Sequence, residues 1–177
     1  MIRTILIMAA MLAAGCCCFF PFQGDPFYDE YTRAEPDRAD VVGIWQANGF
    51  TVDWLRDQGY ALDGLPQLEL RDDGTFTMTA MPDCWRIFFP SERKKVLESG
   101  SGTWRVEKVQ EWYALEMDFD RLDGEPWTCT FSNVFNLRRQ QPPYMVHVSV
   151  GDPDAGDRLE LERVPAAAPA LTQRVSE

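Results

Sequence analysis

The sequence contains one histidine, His147, in 177 residues. Ser-His-Asp and Cys-His sites need a base oriented by a third group, and zinc sites need several ligands at set spacings. His147 lies within the alternating run 146–150, out of phase with its three valines. We therefore expect it on the face opposite the core, as a surface histidine, and we predict no catalytic residue and no metal ligand there.

Basic residues are also scarce. The chain has 17 Lys and Arg residues against 28 Asp and Glu residues, which gives a net charge of −11. A protein that binds duplex nucleic acid carries a basic stripe, so we expect no nucleic-acid partner. The excess acid predicts a solvated acidic surface, with a face that neutralises a basic protein as the alternative. A carboxylate-dependent hydrolase would need two facing carboxylates, and 28 candidates do not identify a pair.

The apolar run near the start, residues 5–14, is ten residues long, about half of what a membrane-spanning helix needs. Arg3 precedes this run, which ends in the small residues Ala13 and Ala14, and Gly15 follows it. A positive start, a short apolar run and small residues before a cut are typical of a secretory signal. The pattern predicts a signal peptide over residues 1–15, and its removal leaves a net charge of −12.

The next residues, LAAGC at 12–16, resemble a bacterial lipobox, although Ala13 stands where a larger aliphatic residue is usual. The resemblance implies that Cys16 becomes the lipidated amino terminus, held at a membrane by acyl chains worth about 0.8 kcal/mol per buried methylene. It also implies a bacterial cell-envelope location, at the outer membrane if the source is Gram-negative, because Cys17 is not the aspartate that favours inner-membrane retention. We interpret Cys17 and Cys18 as tether, with further acylation or a redox role left open.

Two cysteines remain in the body of the chain, Cys84 and Cys129. An exported protein meets an oxidising compartment, where such a pair can form a disulfide. Closing a loop of about 45 residues would stabilise the fold by roughly 4 kcal/mol in the chain-entropy model. We predict this disulfide, with two buried free thiols as the alternative.

The body of the chain alternates between apolar and polar residues, as in FTMTA at 76–80 and YALEMDF at 113–119. Period two with one apolar face is typical of half-buried antiparallel strands. We predict an all-β fold, an antiparallel meander forming a barrel or a sandwich. The predicted strands lie near residues 42–47, 66–71, 75–80, 102–109, 112–119, 127–136, 144–150 and 158–164.

The predicted boundaries follow composition. Residues 16–40 carry prolines and charges without a period, which predicts a flexible tether spanning roughly 27 Å. The β domain covers residues 41–164, and residues 165–177 form a disordered tail. Two short helices are expected, one capped at Thr51 and ending at Gly59, the other between Ser91 and Gly100.

Two resemblances bear on the fold. Gly43 and Trp45 form a G-x-W block that resembles the start of lipocalin barrels, where the tryptophan packs under the floor and an arginine covers it. That resemblance implies structural roles for Gly43 and Trp45, with Arg163 or Arg158 as the covering arginine. The chain also resembles an uncharacterised bacterial lipoprotein family, which carries no established activity. The matching blocks are GIW at 43–45, LRDDGTF at 70–76 with Gly74, SGSGTW at 99–104 with Trp104, and GDPDAGDRLELER at 151–163.

The remaining motifs allow three functions. The acidic turn 151–157 departs from a calcium loop because Asp157 stands where Gly is required, so we predict a plain turn. Six tryptophans fill the core and its rim, or line a ligand pocket. We predict a membrane-anchored, non-catalytic binding module without a cofactor, for a small apolar ligand or a protein partner. An immunity-type protein and a carboxylate-dependent hydrolase are the alternatives.

Overall fold

The computed structural model describes residues 26–86, 93–127, 133–151 and 155–165. These ranges form nine strands: β1 Gly43–Ala47, β2 Gln67–Leu70, β3 Thr75–Pro82, β4 Leu97–Val109, β5 Trp112–Leu122, β6 Glu125–Pro126, β7 Asn133–Arg138, β8 Met145–Ser149 and β9 Arg158–Arg163. All pairings are antiparallel, and eight strands close into a barrel in the order β1-β2-β3-β4-β5-β7-β8-β9, with β6 beside β5. The all-β prediction is confirmed, and the architecture is a barrel, not a sandwich.

The core lies inside the barrel because alternate residues of each strand point inward. An eight-stranded barrel encloses space for its own side chains or for one small ligand. Here large side chains occupy it. Fully or almost fully buried interior residues include Trp45, Leu68, Leu70, Phe76, Met78, Leu115, Met117, Phe135, Leu137, Val146, Leu159 and Leu161.

Two helices of the described chain lie at opposite ends of the barrel. Helix α1, Arg38–Val41, precedes β1, and helix α2, Gly49–Asp57, follows it. The cap of α2 is Asn48, whose side chain accepts a hydrogen bond from the Thr51 amide, so the predicted cap at Thr51 is wrong. Thr51 instead uses its hydroxyl to hold the backbone of β9 at Glu160.

The second predicted helix, over residues 91–100, is wrong for the part that the structure describes. Strand β4 already begins at Leu97, which pairs with Pro82, and Glu98 pairs with Met81. Residues 93–96 carry no helix. Pairing with β3 over this stretch outweighs the weak local helix signal.

Residues 26–37, here called the strap, cross the outside of the barrel, so the predicted tether is wrong for this part. Tyr31 is fully buried. The Thr32 amide donates to the Leu137 carbonyl at 2.9 Å, and the Tyr113 amide donates to the Thr32 carbonyl at 2.8 Å. Proline and charge suggested a tether, but buried aromatic area holds the strap in place. Residues 16–25 and 166–177 lie outside the described residues.

Candidate functional site

The aromatic mouth, defined by Trp85, Phe119 and Trp127, is the candidate functional site. It lies at the end of the barrel where β3 and β5 finish. Trp85 ends the short 3-10 helix Asp83–Trp85 that follows β3, Phe119 is an inward residue of β5, and Trp127 follows β6. Antiparallel pairing brings the three rings to one end of the barrel.

Asp83 fixes the turn that carries Trp85. Its buried carboxylate accepts hydrogen bonds from the Tyr60 hydroxyl and from the Lys94 amide, each at 2.7 Å. Burial, reinforced by the hydrogen bond to Asp83, raises the pKa of Tyr60 well above its usual range. Burial likewise raises the pKa of the adjacent Cys84 to about 11, so this thiol stays protonated and unreactive at neutral pH.

The rings of the mouth pack in favourable aromatic geometry. Trp85 stacks on Phe119 with centroids 5.0 Å apart and planes inclined by 19°. Trp85 also meets the edge of Phe135, and Phe119 lies 6.3 Å from Trp127. Such pairs add about 0.5–1.5 kcal/mol each beyond their buried area, so the cluster is a rigid platform.

Two donors at the mouth lack partners. The indole nitrogens of Trp85 and Trp127 are buried and meet no acceptor within the described residues. Trp85 as a whole is only 7% exposed. An unsatisfied buried donor costs about 1–3 kcal/mol, so two in one cluster are unusual for a purely structural arrangement. Acceptor atoms placed against the two indoles would remove this cost.

An ion pair borders the aromatic mouth. Glu98 is 3% exposed and accepts two hydrogen bonds from Arg86. The Arg86 guanidinium also lies 5.9 Å from the ring centre of Trp127. The hydrogen bonds that Arg86 donates to Glu98 raise the pKa of Arg86, which keeps its positive charge beside the mouth at any physiological pH.

The strap covers a second polar cluster on the outer face of β7, β8 and β9. His147 points away from the core as predicted, but it is 1% exposed, so the expectation of a surface histidine is wrong. Phe27 and Tyr31 pack against its ring at 5.1 and 5.7 Å. Burial, together with nearby Arg138, lowers the pKa of His147 to about 3. The ring is therefore neutral at physiological pH.

Glu160 is the centre of this cluster. Its carboxylate accepts hydrogen bonds from Arg138 and Arg158 at 2.6 Å each and from Asn48 at 2.9 Å. Burial raises the pKa of Glu160, but the bonds from Arg158 and Asn48 outweigh it and hold the pKa below its usual range. Arg138 also binds Glu30 of the strap. These groups satisfy one another and attach the strap to the barrel.

The uncovered wall of the barrel is polar. On β4 and β5, Arg105 binds Glu116 at 2.5 Å and Asp118 at 2.8 Å, with Glu107 at 3.8 Å. A shallow cleft of about 220 Å³ lies across β1, β2 and β3. Within the described ranges, no three His, Cys, Asp or Glu side chains are placed to hold a metal ion. Residues lining the cleft are Ile44, Gln67, Glu69, Thr77 and Thr79.

The predicted structural residues of the G-x-W block lie at the opposite end of the barrel. Trp45 is fully buried, and its indole donates to the Val41 carbonyl at 2.9 Å. Arg163 donates to the Val42 carbonyl at 2.6 Å, and a Cβ on Gly43 would lie 2.9 Å from its Nε. Arg158 is elsewhere, with its guanidinium 4.5 Å from the ring centre of Phe27. Of the two candidates, Arg163 is therefore the arginine beside this block.

Gly74 and Trp104 lie at the same end as Trp45. Gly74 adopts a φ of +84° in the β2–β3 turn, which favours glycine, and its carbonyl accepts from the Trp104 amide at 2.7 Å. The Trp104 indole donates to the Arg71 carbonyl at 3.0 Å. Arg38 of α1 covers the ring at 4.6 Å.

The remaining predicted sites stay predictions. Cys84 is buried and is the one cysteine within the described ranges, so the structure leaves its pairing with Cys129 open. The predicted signal peptide, Cys16 and Cys129 lie outside those ranges. The sequence counted Trp85 and Trp127 among six tryptophans, but an unsatisfied donor has no sequence signal. Three aromatic residues at 27, 28 and 31 were the available signal for the strap.

No family model, curated protein or solved structure matches this chain. The suggested lipoprotein family therefore stays a prediction that rests on the four sequence blocks. Within the described part of the chain, no helix is both long and apolar enough to cross a bilayer.

Proposed function

We propose that this protein is an exported, lipid-anchored binding module that holds a small molecule at its aromatic mouth. The observation that carries the proposal is the pair of buried indole N–H groups, on Trp85 and Trp127, without an acceptor within the described residues. A ligand that supplies acceptor atoms would remove both desolvation penalties. The stacked ring of Phe119 supports a flat or apolar part of the same molecule.

Because the interior of the barrel is packed with side chains, a ligand site at the mouth is favoured over a site deep inside the barrel. Phe76, Met78 and Met117 are fully buried in the space where a deep ligand would lie. Displacing such side chains would cost more than occupying a rim whose donors are already unsatisfied. We therefore expect a small ligand and modest affinity.

Titration with prodan, a neutral naphthalene dye with one carbonyl acceptor, tests the proposed site. Trp85→Phe and Trp127→Phe keep an aromatic ring and delete the N–H donor. Each lost hydrogen bond should weaken binding about two- to tenfold. Trp112→Phe is the matched control, because its indole donates to Asn136 under the strap. Equal affinity in all four proteins, or no binding to any of them, would refute the proposed site.

The anchor is tested separately. Mass spectrometry of the mature N-terminal peptide should find Cys16 first, carrying acyl chains, and Cys16→Ser should release the protein from the membrane fraction. An unmodified Met1 would contradict the anchor and leave the proposed ligand site untouched. Normal anchoring of the Cys16→Ser protein would assign the attachment to another group.

A second candidate function is contact with a basic protein. The wall around Arg105 favours it, because the carboxylates of Glu107, Glu116 and Asp118 outnumber the arginine they surround. Cytochrome c, a cationic probe protein, should bind the wild type at low salt. It should bind the Glu107→Gln, Glu116→Gln, Asp118→Asn variant about tenfold less. Equal binding would remove this candidate.

A further inference from the structure

We propose that the strap is a pH-sensitive cover, which leaves the barrel in mild acid when His147 takes up a proton. His147 lies on the outer face of β8 and is only 1% exposed beneath the strap. The rings of Phe27 and Tyr31 have their centres 5.1 and 5.7 Å from the centre of the imidazole. No residue of the aromatic mouth belongs to this cluster, so the device does not depend on the proposed ligand.

The charged groups around His147 already balance one another. Arg138 on β7 and Arg158 on β9 are the cations, and both donate to Glu160 on β9 at 2.6 Å. Glu30 of the strap is the second carboxylate, and it binds Arg138. A proton on His147 would therefore add a buried positive charge to a cluster in which each carboxylate is already taken, and a buried charge without a partner is costly.

The charged groups at the edges of the strap are paired as well. Arg139 binds Glu162 at 3.0 Å, between the end of β7 and β9, and Arg33 of the strap binds Glu111 at 2.9 Å. All four side chains are partly exposed, so water screens them from the imidazole. Strand β5 contributes the ring of Trp112, which carries no charge.

The imidazole also lacks the acceptor that its charged form would need. Nε2 lies 3.3 Å from the Ser149 hydroxyl, whereas Nδ1 is buried and meets no partner among the described residues. An imidazolium donates from both nitrogens, so one donor would stay unsatisfied under the strap. Burial, together with Arg138, lowers the pKa of His147 to about 3. Water would satisfy both nitrogens once the strap had left, and the pKa would return toward its ordinary 6.5.

The strap can open without unfolding the barrel. Strand β7 pairs with β5 on one side and with β8 on the other, so the closed barrel is complete without the strap. Backbone hydrogen bonds attach the strap, including those from the Thr32 amide to the Leu137 carbonyl and from the Arg139 amide to the Glu30 carbonyl, at 2.9 Å each. Breaking these local contacts costs less than global unfolding.

Opening of the strap is linked to pH by the difference between two pKa values. The open form binds the proton first, because the pKa of His147 is near 6.5 when the ring faces water and about 3 when it is covered. The closed form is therefore most favoured above pH 6.5 and becomes less favoured as the pH falls toward 3. For these values the opening equilibrium rises about 25-fold between pH 7 and pH 5.

Release of the strap would change the reach of the protein from its membrane. The strap, residues 26–37, lies in the sequence between the predicted lipidated residue, Cys16, and helix α1. Fully extended, these residues would add up to about 40 Å between the anchor and the barrel. This consequence rests on the proposed anchor, whereas the release itself does not.

Hydrogen exchange measured by NMR at pH 7 and pH 5 tests the release. The protein is the chain from residue 16 onward with Cys16→Ser, which keeps every described residue and needs no membrane. The amides of Thr32, Tyr113 and Arg139 report the strap, because each takes part in a hydrogen bond between the strap and the barrel. Their protection factors should fall about 25-fold at pH 5 and stay below those of the paired amides of β2 and β3 at both pH values.

Two variants assign the fall to a residue. His147→Phe keeps a ring against Phe27 and Tyr31 and removes the titrating nitrogens, so its strap protection should change less than about threefold. Glu30→Gln removes the strap carboxylate that binds Arg138. Its strap protection should be lower at both pH values, while the fall between them remains.

The wild type alone can overturn the proposal, because constant strap protection between pH 7 and pH 5 excludes the release. Strap amides that exchange only together with those of β2 and β3 would exclude it too, since the strap would then not open separately. The same fall in the His147→Phe protein, or no fall in the Glu30→Gln protein, would assign the acid response to a carboxylate. A fall in the wild type and in Glu30→Gln, absent from His147→Phe, supports the proposal.

Discussion

A missing side chain sets how closely β4 approaches β5. A Cβ on Gly102 would lie 2.0 Å from the Asp118 carbonyl oxygen, which no real side chain tolerates. The pairing of the two strands also shifts register between Ser101 and Gly102. A bulge with a glycine at this point bends and twists the strand, as barrel closure requires. The glycine of the SGSG stretch at position 102 is therefore explained by the close approach of the two strands.

Gly102→Ala should destabilise the protein by about 1–3 kcal/mol, because the added methyl group forces β4 and β5 apart. Urea unfolding of both proteins measures the difference. Gly64→Ala is the control, since a Cβ there meets no atom within 4 Å. It should be neutral or slightly stabilising. A Gly102→Ala protein as stable as the control would show that the two strands separate freely.

Trp45→Ala should lower the free energy of unfolding by about 3–5 kcal/mol, the typical cost of emptying a buried tryptophan site. Trp45→Phe should cost less, because it keeps most of the packing and loses the hydrogen bond to Val41. Thermal melts with dye titrations decide the role of the residue. A stable Trp45→Ala protein that had lost dye binding would place Trp45 in a working pocket.

At the scale of elements, the strap makes the outer face of β7–β9 a second interior. Phe27 lies with the guanidinium groups of Arg138 and Arg158 at 4.3 and 4.5 Å from its ring centre. Tyr31 also packs on Trp112, with ring centroids 5.5 Å apart. The strap excludes water from this face and so lowers the local dielectric, which disfavours a charged imidazole. The protonation of His147 is therefore coupled to the packing of the strap.

The folded protein should lose stability in mild acid through His147. Its pKa of about 3 in the folded state lies below the ordinary 6.5, so the unfolded chain binds the proton first. The neutral form gives full stability above pH 6.5, and stability falls as the pH drops from there toward 3. Between pH 7 and pH 5 the loss should be about 2 kcal/mol. Urea midpoints at the two pH values measure it.

His147→Phe is the control for that loss. It keeps a ring against Phe27 and Tyr31, and it removes the titrating group while the carboxylates still titrate. Its stability should change less between pH 7 and pH 5. The same loss in both proteins would assign the acid sensitivity to Asp and Glu residues instead.

The sequence predicted the strands well because a two-residue period with one apolar face leaves little choice of structure. β2, β3 and β9 lie within two residues of their predicted bounds. The helix over 91–100 failed because pairing of Leu97 and Glu98 with β3 is a tertiary effect. The packing of the strap was not predicted, because the residues that it binds, such as Leu137, lie more than 100 positions later in the sequence. The candidate site was not predictable, since it is defined by donors that lack acceptors.

At the scale of the whole molecule, the two ends of the barrel differ in how well their polar groups are satisfied. At the end that holds Trp45 and Trp104, each indole donates to a backbone carbonyl. At the other end, the indoles of Trp85 and Trp127 are buried without an acceptor among the described residues. The end with the unsatisfied indoles is the one to which the proposed function assigns the ligand.

The predicted signal peptide would send the molecule to an oxidising compartment, where Cys84 and Cys129 should form a disulfide. Peptide mapping under non-reducing conditions should find this pair, and reduction should lower the free energy of unfolding by up to roughly 4 kcal/mol. Cys84→Ser with Cys129→Ser gives the matched protein that reduction cannot change. If the pair is absent, burial and the pKa of about 11 still protect Cys84. Iodoacetamide would then label Cys84 only above the urea concentration at which half of the protein is unfolded. Such labelling in protein that has not been reduced would disprove the disulfide.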